Sequence, residues 1–363
     1  MEVLDFIDLI ADPRQDHKVQ YSLSSLLFTT LCGILCGCQS WRDIHDYCEA
    51  RQEWLSRYID LSTGVPSLWT FRRLFTLLNP TVIESLLMSV SASLMGKGKS
   101  DQIAIDGKYL RHSKRHDSAC LKSVSAWCHE HGLVLAEQAV AEGSHETAAI
   151  PLLLASLLLK GTTVTIDAAG TNPIIAAQII TQQGNYVLAL KKNQPKLHQG
   201  VTEFVKLQGH TPAHRIQDGF DDGHGRTVRR RYFSYDITSL EACNSWPGLK
   251  TAIAVETISG TPRTPVTAQW RYYLSSHTAS HPGLAQYVRN HWSIENKLHW
   301  VLDVQMHEDN DLKAERKSAK AFAVLRRIAL NIVRIKDQTP KRSTRRKMLW
   351  AAWKEESLLK LLT

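Results

Sequence analysis

Two short apolar strands, each followed at once by an aspartate, decide the fold of this chain. The first is Gln102-Ile103-Ala104-Ile105-Asp106-Gly107-Lys108, and the second is Thr163-Val164-Thr165-Ile166-Asp167-Ala168. A carboxylate at the end of a buried strand is costly unless it is paired or binds a metal. One such Asp is most often a helix cap or a turn residue. Two of them in one chain predict a shared site.

A third acidic residue, Glu295, lies in the segment His291-Trp292-Ser293-Ile294-Glu295-Asn296-Lys297-Leu298-His299-Trp300, which we expect to be helical. Two strand-end carboxylates and one helical carboxylate can supply oxygen ligands to a pair of divalent cations, an arrangement that suits phosphodiester chemistry. The alternative is a zinc site formed by His291, Glu295 and His299. That alternative lacks the His-Glu-x-x-His spacing and gives the two aspartates no role.

The elements around the two aspartates predict an α/β fold. Strand patterns cover residues 103–105, 124–128, 133–140, 164–166 and 186–190. Helical patterns cover residues 146–159, with Ser144 as the expected cap, and 173–183, with a proline at the start. The first three strands form a meander, and the later two arrive through crossover helices and are therefore parallel. This is the order of an RNase H-like mixed five-stranded sheet flanked by helices.

The rest of the chain suggests three regions. Residues 1–95 have helical patterns and form a predicted N-terminal domain for DNA binding or assembly. The catalytic domain is predicted at 100–335, with a β-rich insertion at about 210–278, and a basic tail follows at 336–363. The segment 19–41 has no charged residue, but its polar content favours a buried helix over a membrane span or a signal peptide.

Composition points to a polyanionic partner. The 363 residues carry a net charge of +9, and 43% of them are hydrophobic, which is enough for a large core. Basic proteins of this kind usually bind nucleic acid. The seven cysteines show no zinc-finger spacing, and we expect free thiols in a reducing cytosol.

Several blocks of sequence resemble the DDE transposases of bacterial insertion sequences, in the group associated with H-repeats and Rhs elements. The blocks are Ala104-Ile105-Asp106-Gly107-Lys108, Thr165-Ile166-Asp167-Ala168, Tyr186-Val187-Leu188-Ala189-Leu190-Lys191-Lys192-Asn193-Gln194 and, above all, the stretch 289–304 around Glu295. The family's Lys-Ser-Asn-Glu appears here as Gly143-Ser144-His145-Glu146.

The resemblance implies that Asp106, Asp167 and Glu295 bind two Mg²⁺ or Mn²⁺ ions. It also implies cleavage of transposon ends, strand transfer of the 3′-hydroxyl into target DNA, and a homodimer on double-stranded DNA, in the bacterial cytoplasm and without a membrane. Two alternatives remain: a metal-dependent nuclease without strand transfer, and a domesticated or inactive DNA-binding protein. All three acidic positions are filled, which argues against decay.

Three clusters of basic and amide side chains near the predicted sheet edge suggest a DNA channel. Each cluster alone is more often a solvated surface, whereas together they suit phosphate contacts. The predicted contacts, including three residues that flank Glu295, are Lys108, Arg111, Lys191, Lys192, Asn193, Gln194, Arg226, Arg229, Arg230, Arg289, His291 and Lys297.

Overall fold

The structure is a computed structural model that describes the chain apart from residues 1, 16, 18, 114–118, 209–213, 224–225, 262–263, 311–312 and 314. For residues 2–4, 112, 214–223, 226–227, 260–261 and 264–267, the backbone alone is described.

Nine strands form one continuous sheet in the order β3-β2-β1-β4-β5-β9-β8-β7-β6. Their bounds are β1 Gln102–Leu110, β2 Leu121–Cys128, β3 Leu133–Ala139, β4 Thr163–Ile166, β5 Asn185–Leu190, β6 His214–Gly223, β7 Arg226–Asp236, β8 Thr251–Thr261 and β9 Thr264–Ser275. β1, β4 and β5 are parallel, and the other neighbours are antiparallel. The predicted RNase H-like order of the first five strands is confirmed. The β-rich insertion extends the same sheet, because β9 pairs with β5.

Thirteen α-helices are present in the described part of the chain. They are α1 Glu2–Asp8, α2 Leu23–Leu35, α3 Trp41–Ala50, α4 Gln52–Leu55, α5 Leu68–Leu77, α6 Pro80–Met95, α7 Glu146–Ala155, α8 Pro173–Thr181, α9 Pro195–Gln208, α10 Leu284–His291, α11 Arg316–Lys336, α12 Thr344–Trp353 and α13 Glu355–Leu362. Two π-helical segments, Glu295–His299 and Val301–Gln305, follow α10.

Three local expectations are corrected. β1 does not end at Asp106, because β2 stays paired with it as far as Leu110. The cap of α7 is His145 rather than Ser144, and no side chain caps this helix. α7 also ends at Ala155, four residues early, because Ser156 turns back onto the Leu153 carbonyl with both its backbone N–H and its hydroxyl.

The strand alternation divides the side chains between two helical layers. Ile103 and Ile105 of β1 belong to the core under α7, α8 and α9, whereas Ala104 between them belongs to the core of the opposite face. Successive strand residues point to opposite faces. We call these the α7 face and the α11 face. Asp106 and Lys108 therefore share the α11 face with Ala104, and Gly107 lies on the α7 face.

The N-terminal helices share one hydrophobic core with the C-terminal part of the chain. Buried residues of α2, α3, α5 and α6 cluster with those of the π-helical segments and of α11. The capping box of Ser40 and Asp43 fixes the start of α3. The proposed division into domains remains a prediction.

The uncharged segment 19–41 contains α2, and nearly all of this helix is buried. Of the helices described, none is by itself long and apolar enough to cross a bilayer, while the bent pair α5 and α6 meets that test of length and composition. The seven cysteines are free thiols. Burial raises the pKa of Cys36 to about 12.

Candidate active site at the carboxyl edge of the sheet

Asp106 and Asp167 lie side by side on two parallel strands. The last pair between β1 and β4 is Ile105 with Ile166. Asp106 directly follows the first of these residues, and Asp167 directly follows the second. Neighbouring strands lie about 4.8 Å apart. Thr165 contacts His291 of α10 on the α11 face, and by alternation Asp167 lies on the same side as Asp106. The sheet thus brings both carboxylates to one edge and one face.

Backbone amides orient both carboxylates. The N–H of Gly107 donates to Oδ1 of Asp106 at 2.9 Å. Oδ1 of Asp167 accepts hydrogen bonds from Ala169 at 3.0 Å and from Gly170 at 3.2 Å. These contacts occupy one oxygen of each aspartate and fix its direction. The second oxygen of Asp106 lies 3.5 Å from Nδ1 of His299.

Glu295 approaches from the helical layer of the α11 face. It is the first residue of the π-helical segment Glu295–His299, and its side chain is exposed. In the described part of the chain, Glu295 forms no ion pair or side-chain hydrogen bond. Single π-helical turns are rare and occur often at functional sites. The wider turn is an irregularity that helical periodicity in the sequence did not indicate.

The site concentrates negative charge around Asp106. The pKa of Asp106 is raised to about 7, chiefly by burial and then by the carboxylates of Asp167, Glu295 and Glu146, while the hydrogen bond from the Gly107 amide lowers it. Like charges held this close favour protonation unless a cation neutralises them. Carboxylate oxygens in such a group are the ligands that hard divalent ions prefer. The residues present therefore fit a divalent metal centre.

The three carboxylates do not close around a single ion. Among the described residues, the group whose ligand atoms all lie within 4.8 Å of one another is His45, Asp46 and Glu49, not the triad. Two-metal sites hold their ions roughly 3.5–4 Å apart, so ligands of different ions lie farther apart than ligands of one.

The zinc alternative does not match the geometry. Nδ1 of His291 lies 3.0 Å from the hydroxyl of Thr165, and the ring is 6% exposed. Burial lowers the pKa of His291 to about 4 and that of His299 to about 3. The neutral imidazole is the form that binds zinc, so the contacts of the two rings, and not their charge, argue against this site. His299 turns to Asp106 instead of joining His291 and Glu295. The ring of His291, a predicted DNA contact, is buried against Thr165, and its contact with DNA stays a prediction.

Lys108, another predicted DNA contact, lies in a buried cluster of ion pairs. Its side chain is 6% exposed, and its ammonium contacts the carboxylate of Asp303. It also lies 3.7 Å from both Glu308 and Asp309. These three acidic partners engage the ammonium inside the protein, and its contact with DNA stays a prediction. It joins β1 to the π-helical segment Val301–Gln305, beside the triad.

A groove beside Glu295 brings together three predicted DNA contacts from distant parts of the chain. Arg230, Arg289 and Lys297 line it, together with Arg271 and the indole of Trp292, in a volume of about 550 Å³. The guanidinium of Arg271 lies 5.6 Å from the centre of the Trp292 ring, which is 44% exposed. Cations and an accessible aromatic face suit a nucleic-acid strand.

The loop after β5 contains two exposed lysines and two amides that bind the backbone. Lys191 and Lys192 are exposed. Asn193 donates to the carbonyl of Ala168 at 2.6 Å, and Gln194 donates to that of Thr171 at 3.1 Å. These two amides brace the turn that holds Asp167.

The remaining predicted contacts have different outcomes. Arg111 is 78% exposed, with its Nε 3.5 Å from Asp309. Arg229 is half-buried on β7. The side chain of Arg226 lies outside the described residues.

Sequence reasoning missed Glu146 as a member of the site. It is the first residue of α7, and its carboxylate lies against Gly107. The only signal was its place at the end of the block Gly143-Ser144-His145-Glu146. Nothing in that block alone shows which residue the glutamate meets.

The fold and the acidic edge define a class of nucleic-acid-processing enzyme, and comparison with known families identifies it. The family model described as "Transposase DDE domain" matches residues 97–332, and the model described as "DDE_Tnp_1-associated" matches residues 4–90. The chain belongs to the DDE transposase family. DDE transposase domains generally use divalent metal ions.

Individual relatives agree over nearly the full length. The chain is 34% identical over 370 residues to the H repeat-associated putative transposase YhhI of Escherichia coli (strain K12), covering 99% of this chain and 97% of the relative. It is 34% identical over 343 residues to the putative transposase YncI of Escherichia coli O157:H7, covering 92% and 87%. Among solved structures, it is similar to piggyBac transposase in a synaptic complex with hairpin DNA, at 12% identity and a TM-score of 0.43, covering 100% of this chain and 79% of that one.

Proposed function

We propose that this protein is a DNA transposase that cuts the ends of its element and joins the freed 3′-hydroxyl to target DNA. Asp106, Asp167 and Glu295 are the proposed ligands of two Mg²⁺ or Mn²⁺ ions. The observation that carries the proposal is the convergence of these carboxylates on one sheet edge, where Asp106 is largely buried among like charges. Family membership supports the reaction class.

The chain's own residues have distinct parts in this proposal. When bound, two divalent ions activate a water and stabilise the leaving 3′-oxygen of a phosphodiester. Asp106 is oriented by the Gly107 amide, and Asp167 by two amides of the turn that follows it. Glu295 supplies its carboxylate from the helical layer. Because backbone amides fix the two aspartates before DNA arrives, these two carboxylates need little reorganisation during the reaction.

The groove lined by Arg230, Arg289 and Lys297 is the proposed path of the DNA strand towards the triad. Trp292 and Asn296, which flank Glu295 in the chain, line this groove, so its basic groups lie next to the acidic edge. Contacts with phosphate fix register without reading sequence. Double-stranded DNA of the element ends and of the target is the proposed partner, with a homodimer on DNA because transposition joins two ends.

The test is an oligonucleotide assay that scores nicking and joining separately. Asp106→Asn, Asp167→Asn and Glu295→Gln should each abolish nicking, because each keeps the shape of the side chain and removes the charge that holds a metal. Binding of labelled duplex should persist in all three. Glu53→Gln, at an exposed acid of α4, is the matched control and should behave as wild type. A triad variant with wild-type nicking would remove that residue from the site.

The same assay separates the proposed function from its alternatives. Nicking without joining would identify a nuclease, and binding with neither reaction would identify a domesticated or inactive protein. Activity should require Mg²⁺ or Mn²⁺ and disappear in EDTA, since carboxylate ligands suit hard ions. Restoration by stoichiometric Zn²⁺ alone would contradict the proposed ligand set.

A further inference from the structure

Glu146 reaches the active-site edge from the opposite side of the sheet. Asp106 and Lys108 lie on the α11 face, and α7 packs on the other face. Glu146 begins α7, and its carboxylate contributes to the negative field at Asp106. The charges that act on Glu146 are the carboxylate of Asp167 and, more weakly, the ammonium of Lys122. Acidic groups therefore approach Asp106 and Gly107 of β1 from both helical layers.

Gly107 is the residue that makes this approach possible. A Cβ atom placed on Gly107 would stand 2.4 Å from Cδ of Glu146, and 2.5 and 2.7 Å from its two oxygens. Any other residue at this position would occupy the space that the carboxylate fills. The backbone of Gly107 does not have a positive φ. The glycine is required here by close approach rather than by conformation.

Glu146 has no ion-pair partner among the described residues, although the charge of Lys122 lowers its pKa. In the part of the chain that is described, it forms neither an ion pair nor a side-chain hydrogen bond, although it is half-buried. Burial raises the pKa of Glu146, and Asp167 raises it further. By contrast Glu142, four residues earlier, is exposed and lies 3.6 Å from Arg316. A half-buried carboxylate beside two others is a costly arrangement unless a cation joins it.

We propose that Glu146 is a fourth carboxylate of the metal centre, binding from the α7 face the divalent ion that Asp106 holds from the α11 face, and that Gly107 is needed to admit it. This inference rests on the proposed function of the same site. It adds a ligand from a helix outside the three acidic motifs. It also assigns a role to the glycine that follows the first aspartate.

The first test measures metal binding without turnover, by titrating Mn²⁺ into the full-length protein in a calorimeter. Glu146→Gln should weaken Mn²⁺ binding by at least about tenfold, the lower end of the effect seen for groups that support a metal from outside its ligand shell. Glu142→Gln is the matched control and should bind as wild type. Circular dichroism and the melting temperature show whether each variant is folded.

The second test is a double-mutant cycle with Gly107→Ala and Glu146→Ala. The methyl group of Gly107→Ala meets the flexible end of a side chain, so the fold tolerates it while the carboxylate is displaced. Each single variant should lose Mn²⁺ affinity to a similar degree, and the double variant should lose no more than Glu146→Ala alone. Interacting sites show such non-additivity. Independent, additive losses would overturn the coupling between the two residues.

The outcomes separate this inference from the proposed function. If Asp106→Asn abolishes Mn²⁺ binding and Glu146→Gln leaves it at the wild-type level, the fourth carboxylate is refuted and the triad stands. If Asp106→Asn, Asp167→Asn and Glu295→Gln all bind Mn²⁺ and cut DNA as wild type, the proposed function itself fails. Reduced affinity in Glu146→Gln with normal affinity in Glu142→Gln supports the assignment.

Discussion

Arg327 of α11 is the residue whose loss should most damage the fold around the active site. Its guanidinium is 0% exposed and contacts Glu137 of β3, while its Nη1 lies 2.5 Å from Glu308 and donates to the Ala323 carbonyl at 2.8 Å. Burial opposes the charge, but the two carboxylates outweigh it and raise the pKa of Arg327 above its ordinary value. One cation thus neutralises two buried acids.

Replacing Arg327 with Met keeps the length of the side chain and removes the charge. Loss of one partner of a buried ion pair costs about 3–5 kcal/mol, because the other charge stays buried without compensation. Glu308 retains the ammonium of Lys108 at 3.7 Å, whereas Glu137 loses its only ion-pair partner among the described residues. We therefore expect Arg327→Met to lower the free energy of unfolding by about 4 kcal/mol.

Urea denaturation followed by tryptophan fluorescence measures this change. The control is Arg57→Met in the exposed pair with Glu53, where the side chains are 56% and 95% exposed. Exposed pairs contribute about 0–1 kcal/mol, and the control should fall in that range. The double variant Arg327→Met/Glu137→Gln should recover part of the loss, since it removes the stranded charge. A loss below about 1 kcal/mol for Arg327→Met would refute the reasoning.

Two further predictions concern charge at the site. In metal-free protein, Asp106→Asn should raise the melting temperature at pH 8 and have no effect below about pH 4. The pKa of Asp106 is about 7 in the folded protein against an ordinary value of 3.8, so its negative charge destabilises the fold fully above pH 7. Calorimetry measures the melting temperatures, and an equal rise in melting temperature at pH 4 would contradict this reasoning. Lys297→Ala should flatten the salt dependence of duplex binding by about 0.9 per lost phosphate contact. Lys206→Ala, exposed on α9 across the sheet, should leave the slope unchanged, and equal slopes in both variants would remove the groove from the DNA path.

The sequence alone was sufficient for the core of the fold. Short apolar strands that alternate with two helical patterns are local signals, and they predicted the order of the first five strands. The proline at the start of α8 and its Asn172 cap are of this kind. The same local patterns placed an acid after each of two strands that turn out to be parallel neighbours. Parallel pairing then forces those acids together, so Asp106 and Asp167 followed from the sequence.

The tertiary structure decided which charged residues are exposed and which are buried. Lys108 and Lys297 look alike in the sequence, yet the first is buried against Asp303 and the second is exposed beside the groove. Burial depends on which distant segment packs over a residue, and no local pattern encodes that segment. The extension of the sheet by β9 has the same cause, because strand partners are chosen by contacts between parts of the chain far apart in sequence.

The position of Glu146 shows the division most clearly. By sequence, a glutamate at the start of a helix is an ordinary first-turn residue, whose negative charge interacts favourably with the helix dipole. Only the packing of α7 on the sheet brings its carboxylate to within 2.7 Å of the space that a side chain on Gly107 would fill. The sequence determined which residues carry the negative charge, and the fold determined that four of them meet at one edge, because that meeting depends on packing two helical layers against the same strands.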